Sequence, residues 1–160
     1  MFMNGLIYLT KMTPEIAEVY FKDFVFDNAV FLEGQPMRPF VYSEQWLSGY
    51  LERNKPNVHL AIMLQDVPVG EILFKRIDHT HRNAVFSIHL QNDSVKGKGY
   101  GTIAERLAIE YAFDTLHMKV LYADTIKKNC RSSHVLEKVG FQFVKEDLLF
   151  RYYEIRNPSE

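Results

Sequence analysis

The stretch best suited to chemistry is SVKGKGYGT, residues 94–102, where three glycines alternate with a lysine and a tyrosine. Gly97, Gly99 and Gly101 let the backbone approach a ligand closely and adopt dihedral angles that other residues avoid. A long amphipathic segment follows at once, and the first N–H groups of a helix are unpaired and lie at the positive end of its dipole. The pattern therefore predicts a pyrophosphate-binding loop.

The flanking side chains add to this site and exclude two nucleotide-binding loops. Lys96 and Lys98 supply positive charge, and Thr102 supplies a hydroxyl donor. A Walker loop needs Lys and then Ser or Thr after its last glycine, whereas Gly101 is followed by Thr102 and Ile103. A dinucleotide fingerprint needs glycine at the position of Thr102. A nucleotide-binding domain is therefore disfavoured, and a helix cap with spare glycines is the plain alternative.

The surrounding pattern predicts one domain, residues 1–160, folded as a mixed α/β sandwich around one sheet. Thr13 and Ser43 are typical helix caps, and Gly140 is typical of a helix end. The predicted elements, in chain order, are a strand at 5–10, helices at 13–24 and 43–53, strands at 58–64, 68–75 and 84–91, a helix at 99–117, a strand at 119–125, a helix at 129–138, and strands at 141–146 and 148–155. Gly34, Pro36 and Pro39 indicate a loop between the first two helices.

The helix predicted at 99–117 has one clear apolar stripe. Its members recur at three- and four-residue steps, and they are Ala104, Leu107, Ala108, Tyr111 and Ala112. We expect the charged residues, Glu105 among them, to lie elsewhere on the circumference of the helix.

Composition excludes several classes of partner. The 19 basic and 20 acidic residues leave a net charge of -1, which gives no general reason to bind nucleic acid or an anionic membrane. One cysteine, Cys130, cannot form an intrachain disulfide and fits a cytoplasmic location. We expect no secretory signal and no membrane span. Asp78, His79 and His81 lie in a predicted polar turn without a further ligand, so we expect no metal site.

Two stretches resemble the GCN5-related N-acetyltransferases, the GNAT family. In the first, Lys96, Gly99 and Gly101 match the loop pattern Arg/Gln-x-x-Gly-x-Gly/Ala, with lysine as a conservative change. In the second, NCRSSHVLEKVGF at residues 129–141 resembles the following helix and strand of the family. The similarity covers roughly residues 58–156, and it is strongest toward the branch of ribosomal-protein alanine N-acetyltransferases.

The resemblance implies a sheet of about seven strands, flanked by about four helices, with acetyl-CoA held between splayed parallel strands at 84–91 and 119–125. The coenzyme-binding residues that it implies fall into three groups. The loop amides of Lys96, Gly97, Lys98, Gly99, Tyr100, Gly101 and Thr102 hold the pyrophosphate, the backbone of His89, Leu90 and Gln91 pairs with the pantetheine arm, and Asn129 and Ser132 contact that arm from the other side.

The implied activity is acetyl transfer to a primary amine by direct attack in a ternary complex. Asp124 is the favoured base, because some relatives have a catalytic glutamate five residues before the position of Asn129. His89 is the second candidate, since imidazole titrates near neutrality. Leu136 occupies the position of the usual acid tyrosine, which leaves Ser132 or water to protonate the leaving thiolate.

The acceptor stays open between a protein N-terminus, a polyamine, an amino acid and an antibiotic, and the assembly between a monomer and a homodimer. The rival hypothesis is an acyl-CoA-binding sensor or interaction domain with weak or no catalysis, which the leucine at position 136 favours. A covalent acetyl-enzyme on Cys130 is disfavoured, because its local sequence offers no activating partner.

Overall fold

A mixed sheet organises the molecule. The computed structural model describes residues 2–26 and 40–160. Its strands are β1 (Phe2–Asn4), β2 (Ile7–Lys11), β3 (Val58–Leu64), β4 (Val67–Asp78), β5 (Asn83–Leu90), β6 (Val120–Ile126), β7 (Gln142–Glu146) and β8 (Phe150–Arg156). Their order across the sheet is β1-β2-β3-β4-β5-β6-β8-β7, and β5–β6 is the parallel pair.

Local capping chemistry sets the helix ends. The helices are α1 (Pro14–Lys22), α2 (Glu44–Arg53), α3 (Tyr100–Asp114) and α4 (Cys130–Lys138). The Thr13 and Ser43 hydroxyls accept the N–H of the third residue beyond them, at 3.2 and 3.0 Å, as the sequence predicts. Gly140 follows α4 at φ +113°, and the N–H groups of Gly140 and Phe141 donate back to carbonyls of α4. This is a Schellman ending, which favours glycine.

Each face of the sheet carries its own apolar core. Leu107 and Ala108 of α3 and Leu136 of α4 pack on one face. Tyr20 and Phe21 of α1 pack with the α2 residues on the other face. The strands are therefore buried on both sides, as the near-continuous burial of residues 68–74 shows.

The expected mixed sheet with about seven strands and four helices is confirmed, with three differences. The described residues contain an eighth strand, β1, which is too short to show a sequence period and pairs with β2 across a turn at Gly5. β4 continues to Asp78, and α3 ends at Asp114, three residues early, before His117 takes a positive φ of 58°. The predicted loop at Gly34, Pro36 and Pro39 lies outside the described residues.

The parallel pair opens as predicted. β5 and β6 are hydrogen-bonded through three registered pairs only, Asn83–Val120, Ala84–Leu121 and Val85–Tyr122. Beyond these pairs each strand continues for several residues without pairing to the other, which leaves a cleft in the sheet. In the part of the chain that the structure describes, no helix is long and apolar enough to cross a bilayer.

Candidate active site

A groove of about 370 Å³ lies where the end of β5, the start of α3 and the face of α4 meet. Its walls combine glycine backbone, apolar side chains and a few polar groups, as ligand sites usually do. The lining residues are Phe24, Val25, Phe26, Ile88, His89, Leu90, Lys96, Gly97, Gly99, Gly101, Thr102, Glu105, Asn129, Arg131, Ser132, Val135 and Lys138.

The glycine loop has the backbone that an anion site needs. Gly97 and Gly99 have φ values of +72° and +82°, a region that L side chains rarely adopt. Gly99 is the N-cap of α3 and has no side chain with which to cap it, so the first amides of the helix are left to other partners. Gly101 is different, because it lies within the helix and a Cβ there would only touch Leu90 at 3.7 Å.

Of the lysine and arginine residues that line the groove, only Lys96 was predicted from the sequence. Lys96 lines it with a side chain that is 10% exposed and approaches Asp93 at 3.4 Å. Lys98 is exposed and does not line the groove, because its position in the turn directs it outward. Sequence reasoning missed Arg131 and Lys138, which face the groove from α4 at helical spacing.

Tyr100 has a different place from the rest of the loop. Its side chain packs against the core of the α3 face instead of lining the groove. Only the backbone N–H of Tyr100, at the first position of α3, therefore remains available to the predicted anion site.

The predicted backbone contacts of β5 need a correction in register. The N–H of Gln91 donates to the Val69 carbonyl at 2.9 Å, so Gln91 and, two residues back, His89 direct their backbone groups toward β4. The Gln91 carbonyl accepts the N–H of Val25, and Gln91 does not line the groove. Alternation along the strand instead turns the backbone groups of Leu90 and Ile88 toward the open side.

A second groove, of about 250 Å³, lies between the splayed strands β5 and β6. Four residues line both grooves: Ile88, His89, Asn129 and Ser132. His89 and Ser132, which the sequence proposed for chemistry, therefore both line this junction. Asn129 also caps α4 there, since its side-chain oxygen accepts the N–H of Ser132 at 3.2 Å.

Asp124, Ser87 and Leu136 also line the second groove, whereas Cys130 does not. Asp124 lines it, exposed on β6, but does not reach the first groove. The Ser87 hydroxyl lines it too, and it is buried without a hydrogen-bond partner among the described residues. Leu136 forms part of the floor and of the core. Cys130 is exposed, and its thiol lies 3.9 Å from the Lys127 carbonyl.

Sequence reasoning missed a buried polar cluster behind His89. Glu71 on β4 is 2% exposed, and its carboxylate contacts His59 Nε2 at 2.7 Å, the Tyr50 hydroxyl at 2.9 Å and His89 Nδ1 at 3.3 Å. Burial alone would raise the pKa of Glu71, but the hydrogen bonds from the two histidines outweigh it and lower the pKa to about 2. The carboxyl is therefore ionised.

A second buried carboxyl lies on α3, at a position that the sequence placed outside the apolar stripe of that helix. Glu105 on α3 is 2% exposed and lines the first groove, because α3 is covered both by the sheet and on the side of α4. Its Oε2 has no hydrogen-bond partner among the described residues, and burial raises its pKa to about 8. Glu105 is therefore protonated at neutral pH, and the sequence, which placed it only outside the apolar stripe, did not predict its burial.

The turn that holds Asp78 and two histidines is built on side-chain capping. Asp78 Oδ1 accepts the N–H groups of Thr80 and His81 at 2.9 Å, and Oδ2 lies 2.8 Å from His81 Nδ1. Within residues 2–26 and 40–160, no three His, Cys, Asp or Glu side chains are grouped as metal ligands.

Curated relatives of this chain are acetyltransferases by name. Spermidine N(1)-acetyltransferase of Escherichia coli is 33% identical over 84 residues, which are 52% of this chain and 44% of that protein. A probable N-acetyltransferase of Bacillus subtilis, YjcK, is 30% identical over 117 residues, which are 72% of this chain and 61% of that protein. The chain thus matches only about half of the length of these relatives.

Solved structures agree on the fold. A mutant of the spermidine N-acetyltransferase SpeG from Vibrio cholerae superposes with a TM-score of 0.76 at 18% identity, over 98% of this chain and 100% of the other. The N-acetyltransferase PseH of Campylobacter jejuni, solved in complex with acetyl coenzyme A, gives 0.60 at 22% identity, over 70% and 75%.

The family match covers most of the elements that build the two grooves. The family described as "Acetyltransferase (GNAT) domain" matches residues 7–142, from β2 to the start of β7. The chain therefore belongs to the GNAT acetyltransferase family.

Proposed function

We propose that the protein binds acetyl-CoA and transfers its acetyl group to a primary amine. The observation that carries this proposal is the junction of the two grooves at Ile88, His89, Asn129 and Ser132. One groove has the backbone of an anion site, and the other opens between the splayed strands, so two substrates can meet at one point. Proximity of this kind accounts for a large part of the rate gain in acyl transfer.

The coenzyme fits the first groove by its chemistry. The free amides at the start of α3, with Lys96, Arg131 and Lys138 around them, suit the pyrophosphate. The open backbone groups of Leu90 suit the amide groups of the pantetheine arm, as an added strand would. The thioester then comes to the junction, where we expect Ser132 to protonate the thiolate in place of the usual tyrosine.

The acceptor enters from the second groove. His89 and Asp124 are the candidate bases: both line the second groove, one from each splayed strand, and His89 also lines the junction. A base is needed because an aliphatic ammonium, with a pKa near about 10.4, must lose a proton before it attacks. We expect a backbone N–H of β5, at Ile88 or Leu90, to stabilise the oxyanion.

A polyamine is the first acceptor to test, because curated relatives are named for spermidine. The motif resemblance to the alanine N-acetyltransferase branch keeps a protein N-terminus as the second acceptor. We further propose that residues 1–160 act as one domain in the cytoplasm, as a monomer or a homodimer. A larger assembly is the alternative, since a spermidine N-acetyltransferase from Vibrio cholerae is dodecameric.

Two measurements test the proposal. Acetyl-CoA should raise the melting temperature of the protein, because it binds the folded state only. Thiol release should then be followed with spermidine, an alanine-terminated peptide, single amino acids and an aminoglycoside. Cys130 is exposed and also reacts with thiol dyes, so a Cys130→Ser variant gives the background. A thermal shift without thiol release for any acceptor would favour the sensor hypothesis, and no thermal shift would refute coenzyme binding.

A further inference from the structure

The polar cluster behind His89 is built around one buried charge. Glu71 is the direct cross-strand partner of His89, and His59 lies two residues beyond Ala61, the partner of Glu71 on β3. All three side chains project from the sheet face that α1 and α2 cover. Tyr50 of α2 closes the cluster, with its ring 5.8 Å from that of His59.

The charge of Glu71 determines where the protons of its partners lie. An ionised carboxylate can only accept hydrogen bonds, so each group in contact with it must donate. Burial and the charge of Glu71 raise the pKa of Tyr50, which keeps its hydroxyl proton. His59 therefore carries a proton on Nε2 and His89 carries one on Nδ1.

Because Nδ1 of His89 is protonated and contacts Glu71, the other ring nitrogen, Nε2, lies away from Glu71. The His89 side chain is 39% exposed, whereas that of His59 is 9% exposed, and His89 alone of the cluster lines both grooves. In the neutral ring, Nε2 bears a lone pair. The buried carboxylate thus presents a proton acceptor to the junction where the amine and the thioester meet.

We propose that Glu71 is a positioning residue that holds His89 as the general base, with His59 and Tyr50 keeping the carboxylate ionised and fixed. This inference rests on the proposed function. The ammonium proton of the acceptor first passes to solvent, the neutral amine nitrogen then bonds to the acetyl carbon, and Nε2 takes the second proton that this nitrogen loses. The carbon–sulfur bond then breaks, sulfur leaves with the electron pair, and the imidazolium proton passes to the thiolate through water or Ser132.

Each element around His89 contributes a titratable group. Glu71 faces it from β4, with His59 on β3 behind that carboxylate. Tyr20 of α1 donates its hydroxyl to the His89 carbonyl at 3.3 Å, and burial raises the pKa of that hydroxyl, which stays neutral. Asp124 of β6 lines the second groove. Glu71 is the carboxylate in contact with the imidazole, and its loss should change both tautomer and rate.

The test compares the wild type with Glu71→Gln, and Glu18→Gln serves as a control at a half-exposed glutamate of α1 that pairs with Lys22. We expect Glu71→Gln to slow turnover about 10²-fold, with unchanged acetyl-CoA affinity. Nitrogen-15 spectra of the imidazoles should show His89 with its proton on Nδ1 in the wild type and a mixture of tautomers in the variant.

Each outcome either supports or overturns the inference. An unchanged tautomer, or a changed tautomer with an unchanged rate, overturns the inference. If Glu71→Gln does not fold, Tyr50→Phe removes one donor to Glu71 and should give a smaller loss in the same direction, whereas wild-type kinetics would overturn the inference. A wild type that acetylates no acceptor refutes the proposed function instead, while the imidazole spectra still decide whether Glu71 holds His89.

Discussion

Glu105 should make the protein less stable as the pH rises through neutrality. Burial raises its pKa to about 8 from the ordinary 4.5, so the folded state keeps a proton that the unfolded chain has lost between these two pH values. The folded state therefore binds more protons than the unfolded state, and the free energy of unfolding falls with pH by about 1.4 kcal/mol per pH unit. The slope weakens near pH 8, so this one group should cost about 2 kcal/mol between pH 6 and pH 8.

Glu105→Gln keeps the size of the side chain and removes its titration. A loss of about 2 kcal/mol corresponds to about 4–8 °C in the melting temperature of a chain of this length. We therefore expect the melting temperature of the variant, relative to the wild type, to rise by about 4–8 °C from pH 6 to pH 8. Glu110→Gln, at an exposed glutamate of the same helix, should run parallel to the wild type.

Thermal unfolding followed by circular dichroism at pH 6, 7 and 8 measures these differences. Comparing each variant with the wild type at the same pH cancels the titration of all other groups, the six histidines included. A Glu105→Gln difference that stays constant within about 1 °C would refute the assignment of a neutral buried carboxyl.

Three further substitutions test the site. Gly99→Val places a branched side chain at φ +82°, which costs roughly 1–2 kcal/mol of stability. We expect calorimetry to show no acetyl-CoA binding by this variant, whereas unchanged affinity would mean that the anion site lies elsewhere. Asn129→Ala removes the helix cap, so the free energy of unfolding from chemical denaturation should fall by about 1 kcal/mol, and acetyl-CoA binding should weaken as well. If only the stability changes, Asn129 acts solely as a cap. Asp124→Asn should mainly raise the KM of a cationic acceptor, and a turnover that falls by about 10²-fold or more would make Asp124 the base in place of His89.

The parts of the fold that sequence predicts well are those decided within a few residues. The caps at Thr13 and Ser43 act on an N–H three residues away, and Gly140 ends α4 through two hydrogen bonds within six residues. The anion loop belongs to the same class, because the positive φ of Gly97 and Gly99 is a property of the local turn. No long-range contact has to be known for any of these predictions.

Burial on α3 shows where such reasoning stops. The sequence period marks one apolar stripe, which the sheet covers. Glu105 lies just beyond the edge of that stripe, about 20° past Ala112 in a helix of 3.6 residues per turn, and α4 and the groove cover this side of the helix as well. A hydrophobic period records which residues are apolar, and it cannot show that a second surface buries a charged one.

The cluster at Glu71 was missed for a related reason, although a signal was present. Its members lie at positions 50, 59, 71 and 89, on one helix and three strands, and only the strand register brings them together. Glu71 is the single charged residue within the buried run 68–74. A charge in such a strand needs buried partners, so its position alone could have directed attention to polar residues on neighbouring strands.

β5 explains why these separate features form one site. Its alternation places Phe86, Ile88 and Leu90 in the core beneath α3, and directs Ser87 and His89 to the opposite face. In the plane of the sheet, the backbone groups of Ile88 and Leu90 face the cleft that opens when β6 departs. The same strand thus offers an anchoring surface, an added-strand edge for the coenzyme and an imidazole held by Glu71. A shift of one residue in the register of β5 would exchange its two faces. The added-strand edge for the coenzyme and the imidazole held by Glu71 would then be lost together.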